Sequence, residues 1–197
     1  MAILVPYLFV LMQLFRNKEH LNTRITDWIE GARNGDPRSQ KSIYDALSGK
    51  MFAVCLRYMG NRDDALDVLQ DGFVALFSKI GTYSGDGSFE GWCRRIFVNT
   101  ALMSLRKKDV LRQSQEVETA FNVSNGAPTA IQDLSCSEIM KYVSELPPGF
   151  RTVFNMYAVE GYSHKEIAQA LDITESTSRS QFLRARAILQ TKIEEKY

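Results

Sequence analysis

Apolar residues recur at three- and four-residue steps along most of the chain, and no stretch alternates with the two-residue period of a strand. A chain patterned this way buries its apolar side chains by packing helix on helix. Punctuation then divides it. A first helix is expected over residues 22–34, ending near Gly35-Asp36-Pro37. Asp36 reads as an N-cap with Pro37 in the first turn of a longer helix reaching Met59, with Ile43, Leu47, Met51, Val54 and Tyr58 inward. Gly60-Asn61 breaks it. A third helix over 63–80 places Leu66, Leu69, Phe73, Leu76, Phe77 and Ile80 on one face, residues 81–88 form a glycine-containing loop, and a fourth helix spans 89–108. Residues 109–133 lose the periodicity and collect Gln, Glu, Ser, Asn, Gly and Pro, the composition of a linker. Four shorter helices are expected at 134–146, 148–160, 163–170 and 174–193. The expected fold is all-α: two small helical domains joined by a flexible linker, the C-terminal one a helix-turn-helix (winged-helix-like) domain. Its units are an apolar tail (1–21), an N-terminal domain (22–108), the linker (109–133) and a C-terminal domain (134–197).

The formal net charge of +1 hides its distribution. Residues 61–73 hold four Asp against one Arg, 89–108 hold five Lys or Arg against one Glu, and 176–186 hold three Arg and no acid. Local patches of this kind steer partners even when the total is near zero. Cys55, Cys93 and Cys136 are too scattered for a disulfide framework or a zinc site, as expected of buried thiols in a reducing cytoplasm. The opening MAILVPYLFVLMQLF is too short to span a bilayer, and its charges Arg16 and Lys18 follow the apolar run, unlike those of a signal peptide. Translation is expected to start naturally at Met12. The alternative is a peripheral membrane or partner-binding tail.

Residues 161–189 carry the strongest local signal. Ser163 and Glu166 form an S-x-x-E capping box, Asp172-Ile173 makes a tight turn, and Thr174 caps the next helix. Two helices so joined make a helix-turn-helix, whose second member enters the major groove. At about 100° per residue, Ser178, Phe182, Ala185 and Leu189 point inward. Ser176, Ser180, Leu183 and Arg184 face the opposite way, with Arg179 on the flank. Serine, arginine and one apolar side chain suit base edges, thymine methyls and phosphates.

This segment resembles the C-terminal domain of bacterial sigma factors, through Gly161, Tyr162, Ser163, Glu166, Ile167, Ala168, Leu171, Ile173, Thr177, Arg179, Ser180, Arg184, Ala185 and Arg186. Leu146-Pro147, Arg151 and Phe154 resemble the element that precedes it. Two positions depart: Asp172 stands for the turn glycine, and Ser178 for an inward valine, which should soften the packing. The resemblance implies that Ser176, Thr177, Arg179, Ser180, Leu183 and Arg184 contact the minus-thirty-five promoter element.

The N-terminal half resembles the same family. Asp64, Asp67 and Asp71, with Gln70 beside them, form one acidic stripe within D-A-L-D-V-L-Q-D-G-F. That segment is similar to the sigma helix that docks on the β′ clamp helices of core RNA polymerase, although Leu66 replaces the usual acid. Arg95, Asn99 and Arg106 share one line of the fourth helix, next to Lys107. With Phe89, Trp92 and Ile96, they match the family's minus-ten segment; Met103 departs from its Asp. The resemblance implies that Tyr83, Ser84 and Ser88 of the loop capture a flipped base, while Arg95, Asn99, Arg106 and Lys107 hold the opened strand. Both domains match in order with a short strap between, the pattern of the extracytoplasmic-function class. Expected partners are core RNA polymerase (β′ clamp helices and β flap), promoter DNA and an anti-sigma factor, with no small-molecule substrate.

An enzyme is the least favoured class. His20 and His164 stand isolated, and no nucleophile constellation or phosphate-binding glycine motif appears. No catalytic residue, metal or cofactor is expected. The rival is a stand-alone helix-turn-helix transcriptional regulator binding operators as a dimer. It would need a sensor or dimerisation domain where residues 22–108 carry acidic and basic stripes instead.

Overall fold

The computed structural model describes residues 24–107 and 136–195, without the side chains of 136–138. The expected tail, His20 and the expected linker lie outside the described residues. Helix α1 covers 24–33. Helix α2 runs Pro37–Met59, and its N-cap Asp36 accepts hydrogen bonds from the Arg38 and Ser39 amides at 3.3 and 2.9 Å. The Ser39 hydroxyl, donating at 2.6 Å, holds the Asp36 carboxyl below the usual range. Helix α3 runs Arg62–Lys79 under an Asn61 cap, and a single 3₁₀ turn, Ile80–Thr82, opens the stretch expected to be all loop. Helix α4 runs Phe89–Lys107.

Helices α2, α3 and α4 pack against one another around Met51, Val54, Tyr58, Val68, Leu76 and Phe97, all essentially buried. Phe97 meets Phe73 edge-on at 5.0 Å. A Cβ on Gly72 would sit 2.4 Å from two carbons of the Phe97 ring, so α3 and α4 approach this closely only through a glycine. Leu66, expected inward, is instead exposed. The buried ridge of α3 runs through Ala65, Val68, Leu69, Gly72, Phe73 and Leu76, and Leu66 lies about 90° from its middle.

The second half contains α5 (Cys136–Ser144), α6 (Pro148–Phe154), α7 (His164–Leu171) and α8 (Glu175–Glu194). The helix expected over 148–160 is α-helical only to Phe154, and residues Asn155–Val159 form a π turn. There the Glu160 amide reaches back five residues to the Asn155 carbonyl at 3.0 Å. The wider turn brings Asn155 and Met156 inward. Val143, Leu146, Phe150, Ala185 and Leu189 form the local core, whereas Val153, Met156 and Ile167 join the cluster built on α2–α4. The two halves therefore share buried surface. Among the described residues there is no strand and no helix long and apolar enough to cross a membrane.

Cys55 and Cys93 are buried, and desolvation pushes each thiol up to about 12. A thiolate is the reactive form. Iodoacetamide at pH 8 should therefore leave both unmodified in the native chain and alkylate both in denaturant, as peptide mass mapping would show. Native-state modification of either would mean that the α2–α4 core opens locally.

Candidate polymerase and nucleic-acid interface

Four places carry the residues singled out in the sequence: α3, the loop after it, α4 and α8. On α3, Asp67, Gln70 and Asp71 are exposed on the side away from α2 and α4. Asp64 is partly buried and is used within the helix start, where its amide donates to Asn61 Oδ1 at 2.9 Å and its carboxylate accepts from Asn61 Nδ2 at 2.9 Å. Sequence reasoning passed over Val74, which is 66% exposed. Leu66, Gln70 and Val74 sit at i, i+4 and i+8, so the polar stripe runs beside two exposed apolar side chains. An unburied valine on a helix whose other face is full was the available signal.

The loop is more internally bonded than expected. The Tyr83 hydroxyl donates to the Gly87 carbonyl at 2.9 Å, while its ring lies 5.2 Å from Phe89 and 5.3 Å from Trp92. The Ser84 hydroxyl donates to Asp86 Oδ2 at 2.9 Å, and Ser88 Oγ accepts from the Gly91 amide at 3.0 Å, closing the start of α4. Arg33 ties α1 to this loop, bonding the carbonyls of Ile80 and Tyr83. Between α1, α2 and the loop lies a groove of about 1080 Å³, lined by Trp28, Arg33, Lys50, Tyr83, Ser84 and Ser88 among others. Trp28, Arg33 and Lys50 of its wall were not foreseen: they come from helices distant in sequence from the loop.

Along α4, Arg95, Asn99, Arg106 and Lys107 are all exposed, and Met103, 68% exposed, stands among them. Arg95, Asn99 and Arg106 thus share one open line, with Lys107 exposed beside it. Arg95 also lies within electrostatic reach of Tyr162 and Glu166 of the second half.

The helix-turn-helix forms as the sequence indicates. The Glu166 amide donates to Ser163 Oγ at 3.2 Å, and the Ser163 hydroxyl at 2.7 Å and then its amide at 2.8 Å donate to Glu166 Oε2, which holds the Glu166 carboxyl below its ordinary value. Asp172 occupies the left-handed turn at φ 55°, and Thr174 Oγ1 accepts from the Thr177 amide at 3.0 Å. On α8, Ser176, Arg179 and Leu183 are exposed, whereas Thr177, Ser180 and Arg184 are half-buried. Arg179 pairs with Glu175, and the Ser180 hydroxyl is turned back on the Thr177 carbonyl at 2.9 Å. Phe182, expected inward, is only half-buried, while Gln181, not singled out before, is buried.

Ser178 does not loosen the packing as expected of a lost valine. It is fully buried and shares a 2.9 Å hydrogen bond with His164 Nδ1. His164 is likewise not isolated: its ring stacks on Tyr157 at 4.2 Å and approaches Phe182 at 5.9 Å. Desolvation, and then the Arg179 charge, hold its pKa below 6.5, so the neutral ring that packs here is favoured at neutral pH.

Comparison with known proteins decides what these surfaces belong to. Residues 43–110 match the family model for sigma-70 region 2, and residues 136–189 match that for sigma-70 region 4, together well over half of the chain. The ECF RNA polymerase sigma-E factor of Haemophilus influenzae is 27% identical over 177 residues, covering 84% of this chain and 93% of that protein. The protein of the same description from Escherichia coli is 26% identical over 187 residues, covering 88% and 97%. The chain belongs to the sigma-70 family, in its extracytoplasmic-function class.

As a sigma factor it directs RNA polymerase to promoters and initiates transcription, and the stand-alone regulator is not favoured. Among solved structures, the sigma factor RpoE bound to the anti-sigma factor NepR from Bartonella quintana aligns with a TM-score of 0.49 at 21% identity. That alignment covers 78% of this chain and 96% of that one. CnrH in complex with the cytosolic domain of CnrY aligns with a TM-score of 0.46 at 22% identity, covering 88% and 99%. The region 2 match holds the acidic stripe, the loop and the α4 line; the region 4 match holds α7 and α8 as far as Leu189.

Proposed function

We propose that the sigma factor divides its work among these surfaces. Asp67, Gln70 and Asp71, flanked by Leu66 and Val74, dock on the β′ clamp helices, and the second domain meets the β flap. The groove beside Ser84 takes the base flipped from the minus-ten element, with Trp28, Tyr83 and Phe89 as its aromatic wall and Trp92 packed against the last two. Because Tyr83 and Ser88 already bond within the loop, they act by holding its shape. Arg95, Asn99, Arg106 and Lys107 track the backbone of the opened strand. Ser176, Arg179 and Leu183 face the minus-thirty-five element, with Thr177, Ser180 and Arg184 at the margin.

The chain catalyses nothing itself. It favours melted DNA by binding it better than duplex. Its place of work is the cytoplasm, and its inhibitor is an anti-sigma factor able to cover both DNA-binding faces at once.

The observation that carries this reading is the exposure of the α4 line and of Leu183 on α8, opposite faces that are fully packed. The test is in-vitro transcription with core RNA polymerase and genomic promoter templates. Discrete start sites should depend on the chain, and Arg179→Ala with Arg184→Ala should lower their output about tenfold or more, since each lost base or phosphate contact weakens a promoter complex by roughly 1–3 kcal/mol. Unchanged output at every start would remove α8 from promoter recognition.

A further inference from the structure

Helix α8 is held from behind by a side chain of the helix before it. Ser178, the fourth residue of α8, is fully buried, and its hydroxyl shares a 2.9 Å hydrogen bond with His164 Nδ1. His164 is the first residue of α7, directly after the N-cap Ser163. Its ring stacks on Tyr157 of the π turn at 4.2 Å and 12°, and meets Phe182, one turn beyond Ser178, at 5.9 Å. Tyr157 and Phe154 close on Phe182 at 4.6 and 5.9 Å. One imidazole therefore joins the π turn, α7 and α8 at a single point.

This joint bears on the outer face of α8. Ser178 lies about 140–160° around the helix from the exposed Leu183 and Ser176, and it is next in sequence to the exposed Arg179. A small rotation of α8 about its own axis would swing all three outward side chains, so whatever fixes the inward side fixes their aim. Apolar contact alone has no direction, whereas a hydrogen bond weakens steeply off line. A buried hydroxyl also resists any rotation that strands it, because it left its water behind on folding.

We infer that His164 and Ser178 are a positioning pair for promoter recognition: their bond, seated on Tyr157, sets the angle at which Ser176, Arg179 and Leu183 meet the minus-thirty-five element. The pair has this role only if α8 reads that element, as proposed above. A pH dependence follows. The imidazole shares an open pocket of about 600 Å³ with Tyr157 from the π turn, Glu175 and Arg179 from α8, and Tyr162, Lys165 and Glu166 from its own turn. Burial and then the Arg179 charge oppose a proton on the ring; Glu175, already paired with Arg179, acts the other way more weakly. A cation at the first position of α7 would also face the positive end of that helix's dipole. The ring is therefore neutral at neutral pH and gains its proton only as the pH falls below the ordinary value of 6.5. What the neutral pair contributes is present above that value and lost as the pH drops through the lower one of the folded chain.

The test is in-vitro transcription by the full chain with core RNA polymerase in excess, on a genomic promoter and on the same template with its minus-thirty-five element scrambled. The ratio of the two outputs measures recognition. A mere loss of folded protein lowers both outputs alike and leaves the ratio unmoved. His164→Phe keeps the stack but strands the Ser178 hydroxyl, and Ser178→Ala strands His164 Nδ1; each should lower the ratio about fivefold. The two together leave nothing unpaired and should bring it back to within about twofold of wild type. Between about pH 7.5 and pH 5.5, the wild-type ratio divided by that of the double variant should fall about threefold. That division removes the polymerase's own response to acid. Single variants that lower both outputs equally would make the pair merely structural and overturn the inference. So would a double variant no better than the singles, or a divided ratio that ignores pH. If scrambling changes nothing for the wild type, the promoter reading of α8 itself fails, and the pair's part in recognition falls with it.

Discussion

Replacing Asp67 and Asp71 together by lysine is expected to weaken binding to core RNA polymerase about a hundredfold, with little change in thermal stability. Asp63, Asp67 and Asp71 stand at successive four-residue steps on α3, where like charges repel and destabilise a helix slightly. The helix gains nothing locally from the last two, since only Asp63 and Asp64 lie in its first turn, where the helix dipole favours acids. If these exposed acids meet a cationic partner, as proposed above, reversing them turns attraction into repulsion at each contact. Equilibrium binding of labelled core to wild type and double variant gives the ratio. A change below threefold would place the polymerase contact elsewhere, and calorimetric melting would show whether the variant had simply unfolded.

Arg151→Ala is expected to cost about 3–5 kcal/mol of stability, against a total that is typically only about 5–15 kcal/mol. Arg151 is buried and bonds the carbonyls of Ser144 and Leu146 in its own domain as well as those of Tyr58 and Met59. Burial lowers its pKa but leaves it a guanidinium, since the ordinary value is so high. Alanine would strand these acceptors and leave the space of the side chain unfilled. Arg151→Ala should melt roughly 10 °C or more below wild type, and Arg151→Lys should recover only part of that loss, because one ammonium cannot reach carbonyls on both sides of a planar fork. A fall of less than about 3 °C would mean that the four carbonyls are readily hydrated.

How legible each feature was in the sequence follows from how local it is. Asp36 before Pro37, Ser163 with Glu166, and Thr174 are caps in which one side chain bonds a backbone group two or three residues away, so spacing alone determined them. Asp172 was readable in the same way, as a short polar residue in a turn needing positive φ. The exposed line of α4, and Ser176 and Leu183 on α8, followed from helical angle, whereas Ser180 and Arg184 are half-buried. Leu66 and Phe182 were misplaced because each lies at the edge of a buried stripe, where the neighbouring helix, and not the period, decides burial. The uses of Tyr83 and Ser88 were hidden because a loop's internal bonds obey no period. Pairs such as Arg57 with Glu160, 103 residues apart, are invisible to any windowed reading. Ser178 shows the same limit: its serine looked like a flaw until His164 was found beside it.

The bonds that Arg151 and Asn155 make to the last carbonyls of α2 also have a history within each molecule's synthesis. The carbonyls of residues 57–59 leave the ribosome more than ninety residues ahead of the side chains that will bond them. At about 5–20 residues per second, that gap lasts roughly 5–20 s. Domains tend to fold as units, the N-terminal one first. A nascent chain therefore passes through an interval in which α2 is complete and its last carbonyls still lack these partners.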